Sequence, residues 1–280
     1  VTEKKETAPL LFSLGELQKF CSKKYHISPD ETLNIAQSLY EKKMTTYPRT
    51  DARVLSSAVA KDLEQKLGKK VPAKYIDDSA ITDHYAIIPT FQNHLNQCND
   101  LEKQIFNDIM LRFKAIFMPA YVYDSIAIIL KSGSKEKFFT TEKTEKQLGW
   151  KELYQEDKTL VISKIPDKGD VLPSIMSINP MQTKPPVAYT TGTLIEAMEK
   201  AGKFIDDDEL KAVIKGTGIG TSATRAGIIK KLADKNYITI NGKTQKVAPT
   251  ETGKAIIPVI AKVDERLVSP EKTADLEQRL

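Results

Sequence analysis

Apolar residues recur three and four positions apart through most of residues 9–120. Leu17, Phe20 and Cys21 share one helical face, as do Leu33, Ala36, Leu39 and Tyr40. Both runs begin on a cap. Ser13-x-x-Glu16 and Ser28-x-x-Glu31 have the spacing of capping boxes, the second with Pro29 at the first helical position. Ser56 or Ser57 starts a third helix through Val59, Leu63 and Leu67. Ile105, Ile109, Phe113 and Ile116 mark a fourth, which Pro119 ends. The pattern predicts short stacked helices over 9–120, preceded by a linker at 1–8.

The period changes at Tyr121. Residues 122–130, 137–141, 150–154 and 171–178 read as strands between Gly, Ser and charged turns, a β-rich unit over 121–186. Its polar stretch 131–149 reads as a hairpin with a mobile tip. Helical spacing returns after Lys184-Pro185-Pro186, with Leu194, Ala197, Met198 and Ala201 in 190–201. Residues 222–235 carry Ala226, Ile229, Leu232 and Ala233. Residues 237–240 and 243–248 then flank Asn241-Gly242, which predicts a two-residue type I′ hairpin turn. Two helices and a hairpin resemble a winged helix-turn-helix, so 187–280 reads as a DNA-binding domain, incomplete at its end. The fold class is α+β, with several domains.

Composition narrows this only slightly. The chain has 280 residues, 40% of them hydrophobic, enough for two or three cores. Forty-two Lys and Arg against 37 Asp and Glu give +5, compatible with nucleic acid without pointing to it. No run of 18 apolar residues suggests a membrane span, and the start carries no signal region or initiator Met. Cys21 and Cys98 lack metal-ligand spacing and read as ordinary reduced residues. The expectation is a cytoplasmic protein, a fragment of a longer one.

One segment concentrates phosphate chemistry: Tyr47-Pro48-Arg49-Thr50-Asp51-Ala52-Arg53. Pro48 pushes Tyr47 out of the helical region, so its phenol is presented from extended chain. A phenol titrating near pH ~10 is a poor nucleophile, and neighbouring guanidinium groups would favour its anion and grip a phosphate. A half-buried strand tyrosine followed by solvated charges fits the same residues.

The segment, with the preceding Ala36-Gln37-Ser38-Leu39-Tyr40-Glu41-Lys42-Lys43, resembles the active-site region of type IA DNA topoisomerases, bacterial topoisomerase III among them. His84-Tyr85-Ala86-Ile87-Ile88-Pro89-Thr90 and Gly218-Ile219-Gly220-Thr221-Ser222-Ala223-Thr224-Arg225 match the family in order and approximate spacing. The opening 9–14 and the closing 269–273 agree as well. The resemblance departs at Ser222, where Pro is expected, and at Ala52 and Val54.

The resemblance implies a toroidal core with 9–120, 121–186 and 187–280 as its tyrosine-bearing, hinge and winged-helix-like domains. Tyr47, Arg49 and His84 would be catalytic. Thr50, Asp51, Arg53, Ser222, Thr224 and Arg225 would contact DNA, Asp51 alternatively capping the next helix and Arg53 alternatively a surface charge. Glycines before a helix N-terminus suit a phosphate. The family's Mg²⁺ sits on an acidic Toprim domain with Asp-x-Asp-x-Glu, which does not occur here; no metal ligand is expected in this chain. The run Asp206-Asp207-Asp208-Glu209 reads as helix N-terminal charge. Single-stranded DNA, the Toprim domain and a helicase are the candidate partners, with nucleoid association and no membrane. His-x-x-Arg of tyrosine recombinases and His-x-His of relaxases are absent. The rival is a non-catalytic winged-helix DNA-binding module.

Overall fold

Serine hydroxyls start the first three helices. Ser13 accepts from Glu16 N–H to cap α1 (Leu14–Lys24), Ser28 from Glu31 N–H to cap α2 (Pro29–Glu41), and Ser56 from Val59 N–H to cap α3 (Ser57–Leu67). Each hydroxyl satisfies an N–H that the helix itself cannot. With α4 (Asp100–Ala115), α1 and α2 close on a core containing Phe12, Leu17, Leu39, Met44, Ile87, Ile105 and Ile109. Burying one such side chain stabilises the fold by about 1.5–3 kcal/mol.

The computed structural model describes all residues except 134–135, 155–166, 172–176, 215–217 and 280. Two units emerge, one of residues 1–9 and 114–186, the other of residues 10–113 and 187–280. Helices and small antiparallel sheets make the α+β class predicted.

The first unit is a sheet of order β1-β2-β3, from β1 (Thr2–Glu6), β2 (Tyr121–Lys131) and β3 (Lys137–Gln147). Residues 1–8, expected to be a linker, therefore hold a strand: Thr2 pairs with Ser125 and Glu6 with Tyr121, antiparallel. Its sequence is almost all charged, so no apolar alternation announces it. Backbone bonds hold it, together with Lys146 bridging Glu3 at 3.1 Å and Asp124 at 2.8 Å. Charges also suit an edge strand, because they discourage further pairing. Residues 150–154 are not the predicted strand but part of a 3₁₀ helix (Gly149–Tyr154). Gly149 at φ +54° turns the chain, and Trp150 then donates from N–H to Pro119 O (3.0 Å) and from Nε1 to Glu6 O (2.9 Å). The strand expected at 171–178 falls largely outside the described residues.

In the second unit α5 (Thr191–Glu199) lies against α1 so closely that Gly192 has no room for a side chain. A Cβ there would sit 2.8 Å from Ser22 Cβ and 2.9 Å from Lys19 Cα. Ser22 Oγ meets Thr191 Oγ1 at 3.3 Å, and Lys19 reaches Glu196 at 2.6 Å. Then come α6 (Asp208–Val213), α7 (Arg225–Asp234), the hairpin β4 (Ile238–Ile240) and β5 (Val247–Pro249), α8 (Glu251–Val263) and α9 (Glu271–Gln278). Ile195, Met198 and Ile229 join α5 and α7 in one apolar cluster, with Ile238 and Ile240 of the hairpin against it.

The hairpin turn is longer than predicted. Ile240 pairs with Val247, leaving six residues, 241–246, in the loop. Asn241 is the cause: its Oδ1 accepts from Lys243 and Thr244 N–H, making an Asx turn instead of the first corner of a type I′ turn. Asp207 caps α6, accepting from Glu209 and Leu210 N–H, so the acidic run does serve a helix N-terminus. No helix among the described residues is long and apolar enough to cross a membrane.

Candidate active site

The site is built where α2 stops. Lys42 is the C-cap and Lys43 takes φ +58°, after which the chain passes through Met44, Thr45 and Thr46 to Tyr47, with Thr45 bridged to Pro89. This segment lies antiparallel to residues 84–90. Thr46 N–H donates to Ile88 O at 3.0 Å and Thr90 N–H to Met44 O at 3.0 Å. The Thr46 hydroxyl ties the pair a second time, donating to Ala86 O and accepting from Ile88 N–H, each at 3.0 Å.

Beyond Pro48 the chain is pinned from both sides. Thr50 N–H bonds Pro48 O, and Thr50 O accepts from Leu14 N–H at 2.9 Å. Thr50 Oγ1 donates to His84 O at 2.6 Å and accepts from Ala52 N–H at 3.1 Å. Arg53 O accepts from Leu11 N–H, Val54 O from Ala86 N–H, and Phe12 O from Ile87 N–H. Three segments far apart in sequence, 10–14, 44–55 and 84–90, thus form one bonded framework. Its product is the placement of two rings: Tyr47 and His84 have centroids 4.4 Å apart, tilted by 47°. Tyr40 closes the other side of Tyr47 edge-on at 5.3 Å. Together they line an open groove of about 560 Å³ with Lys43, Thr46, Tyr85 and Thr90.

Tyr47 is half-buried, and Arg49 and His84 are exposed. The other expected contacts divide. Thr50, 4% exposed, commits its hydroxyl inside the protein. Arg53 donates from Nε to Leu11 O at 3.2 Å and pairs with Glu16 at 3.4 Å. Asp51 does not cap α3, a role Ser56 holds; it accepts from Arg225 Nη1 at 3.2 Å. Arg225 is 2% exposed, and binds Glu199 at 3.3 Å, Ile219 O at 3.2 Å and Gly220 O at 2.9 Å besides. Its charge is spent inside the protein, on two carboxylates and two carbonyls. Ser222 is buried, whereas Thr224 is exposed as N-cap of α7, its Oγ1 bonded to Thr221. Glu199 titrates above the ordinary carboxylate range because burial outweighs the help of Arg225.

Sequence reading passed over Tyr40 and Thr46. Tyr40 counted there as one more apolar helix position, although it stands seven residues before Tyr47 on the helix that delivers it. Thr46 left no signal, since a strand threonine is commonplace. The cysteines are free and buried, and burial pushes the Cys21 thiol up to about 12.

A tyrosine and a histidine ring in contact over an open groove, followed by an exposed arginine, fit a phosphoryl-transfer site. The chain belongs to the DNA topoisomerase family, whose model matches residues 1–280, and to the type IA class within it. It is similar to DNA topoisomerase 3 of Bacillus subtilis (strain 168), 36% identical over 100% of this chain and 42% of that protein. DNA topoisomerase 3 of Bacillus cereus (strain ZK / E33L) is 35% identical over 99% of this chain and 42% of its own length. Full-length topoisomerase I from Thermotoga maritima superposes with a TM-score of 0.77 at 25% identity, over 99% of this chain and 46% of that one. The chain therefore spans less than half the length of these relatives.

Proposed function

We propose that this chain is the tyrosine-bearing core of a type IA enzyme that cuts and reseals one strand of DNA. Tyr47 Oη attacks a backbone phosphorus in line. The Oη–P bond forms as the P–O3′ bond breaks; the phenol gives up its proton and the departing 3′-oxygen takes one, so protons balance. The result is a 5′-phosphotyrosyl link and a free 3′-hydroxyl. Religation reverses both steps, so one phosphoester replaces another and no nucleotide triphosphate is consumed. Another strand passes while the break is open. Arg49 stabilises charge on the non-bridging oxygens, and His84 holds the backbone beside the scissile phosphate. What carries the reading is the 4.4 Å contact of Tyr47 and His84 in an open groove.

The family's Mg²⁺ does not fit the residues here. Asp51 and Glu199 converge, but on the Arg225 guanidinium, with which both are paired. Among the described residues no group of three or more His, Cys, Asp or Glu is placed to hold a metal. On this reading the metal belongs to a Toprim domain of the whole enzyme, and this chain by itself binds DNA without relaxing it. Helices α5 and α7 with the β4–β5 hairpin serve as a winged-helix-like DNA-binding element. A helicase partner and work at the nucleoid are consistent with such an enzyme.

Covalent capture tests this. Labelled single-stranded DNA is mixed with the chain, a separately supplied Toprim domain and Mg²⁺, then denatured. A denaturant-resistant adduct that disappears in Tyr47→Phe is expected. DNA binding without an adduct, the added domain being bound, would leave a non-catalytic DNA-binding module.

A further inference from the structure

Phe91 holds a backbone conformation that bulky residues avoid. Its φ is +66°, where Cβ crowds the adjoining carbonyl. Lys43 has a similar φ, but there it ends α2 in the ordinary way; Phe91 follows no helix. The ring is also 46% exposed and touches Phe113 only edge-on, at a centroid distance of 5.8 Å. Its backbone is held by the preceding residue: Thr90 donates from N–H to Met44 O and from its hydroxyl to Lys43 O. Strain of this kind collects at ligand clamps. Neither the strain nor the exposure is accounted for by packing.

Phe91 forms one wall of a second groove, of about 420 Å³, with Val59, Leu63 and Lys66 of α3 and with Ile88 and Pro89. That volume is in the range of about 300–1,000 Å³ usual for small-molecule sites. Thr46, Tyr85 and Thr90 line this groove and the Tyr47 groove alike, so the two adjoin. The apolar members suit a flat ring better than a phosphate. Lys66 is paired with Asp62 at 2.7 Å, so the groove carries little net charge.

We propose that this second groove takes one unpaired nucleobase of single-stranded DNA, stacked on Phe91 and Tyr85, next to the nucleotide whose phosphate lies at Tyr47. The inference rests on the reading that DNA occupies the Tyr47 groove. Every base has a π-face, so the contact gives affinity and register without demanding a sequence. A paired base is already stacked on both sides and cannot enter, so the groove selects single strands.

The test is the equilibrium binding of a dye-labelled single-stranded oligonucleotide by the full chain, repeated with a single abasic site walked along it. Phe91→Gly is the informative variant, because glycine takes φ +66° freely and loses only the ring. It should weaken the intact oligonucleotide about 5- to 100-fold, and Phe91→Tyr should stay within about twofold of wild type. One abasic position should weaken wild type by a similar factor and leave Phe91→Gly no weaker than before. Equal binding by Phe91→Gly and wild type would overturn the proposal, as would a Phe91→Gly penalty undiminished at every abasic position. A wild-type chain that binds no single strand at all would remove the proposed function as well, and the two failures are thereby told apart.

Discussion

The replacement of Thr50 by valine puts the framework under Tyr47 to a quantitative test. Valine matches threonine in shape, so no cavity opens; what is lost is one hydroxyl with two bonds. The hydroxyl donates to His84 O at 2.6 Å and accepts from Ala52 N–H at 3.1 Å. Ala52 is buried, so its N–H loses its partner away from water, at a cost of about 1–3 kcal/mol. His84 is exposed and its carbonyl can find water, so that loss is nearer the net value of one bond, about 1 kcal/mol. Together the substitution should destabilise this unit by about 2–4 kcal/mol. Thr50→Ser keeps the hydroxyl and gives up one methyl, for about 1 kcal/mol. The assay is urea unfolding followed by far-ultraviolet circular dichroism, with hydrogen exchange at the Ala52 and Ala86 amides. Trp150 fluorescence is unsuitable because the tryptophan belongs to the other unit. Valine and serine variants with the same midpoint and the same exchange at Ala52 would refute the argument that this hydroxyl ties 84–90 to the tyrosine segment.

Other outcomes follow from the same contacts. Gly192→Ala should cost about 1–3 kcal/mol by forcing α5 off α1, whereas Gly227→Ala, in open space within α7, should stabilise by about 0.5–1 kcal/mol; thermal unfolding compares them. Glu196 is lowered from the ordinary 4.5 to about 2 by its bonds to Lys19 and Lys200. Its stabilisation is present above pH 4.5 and lost as pH falls toward 2, so the deficit of Glu196→Gln should be seen at neutral pH and vanish near pH 2. Arg225→Met leaves Glu199 buried without its cation and should cost about 3–5 kcal/mol. Because it raises a carboxyl already above its unfolded value, that deficit should grow as pH rises above 4.5, and unfolding midpoints across pH would show it.

The helices were legible because serine caps and three-to-four spacing are local signals; α1, α2 and α3 carry both, and α4 carries the spacing. Strand β1 was not legible, since five mainly charged residues are held by a ladder whose partner lies more than a hundred residues away. The 3₁₀ turn at Trp150 depends on Gly149 and on carbonyls from 119 and 6, which no window around the tryptophan contains. The hairpin turn failed on chemistry rather than distance: Asn-Gly allows a two-residue turn, but the Asn241 side chain chose its own backbone. At the site, Tyr47 and His84 were legible as motifs, and their contact was not, because 37 residues separate them and Thr46 and Thr50 make the join.

The fate of the charges is where the structure changes the reading most. The family resemblance nominated Arg49, Arg53 and Arg225 alike to meet the DNA backbone. A guanidinium cannot grip a phosphate while its donors are committed elsewhere, and Arg225 gives at least four bonds to Asp51, Glu199, Ile219 O and Gly220 O. Arg53 is partly spent in the same way, on Leu11 O and Glu16. That leaves Arg49 and His84, both exposed, as the charged or titratable residues free to meet a phosphate under the proposed function, with Lys43 at the groove. The buried Arg225 has another task. Asp51 lies four residues from Tyr47, so the ion pair with Arg225 couples the tyrosine segment to the start of α7. Arg225 is buried, so its charge is costly to leave unpaired, whereas Asp51 is half-exposed and can find water.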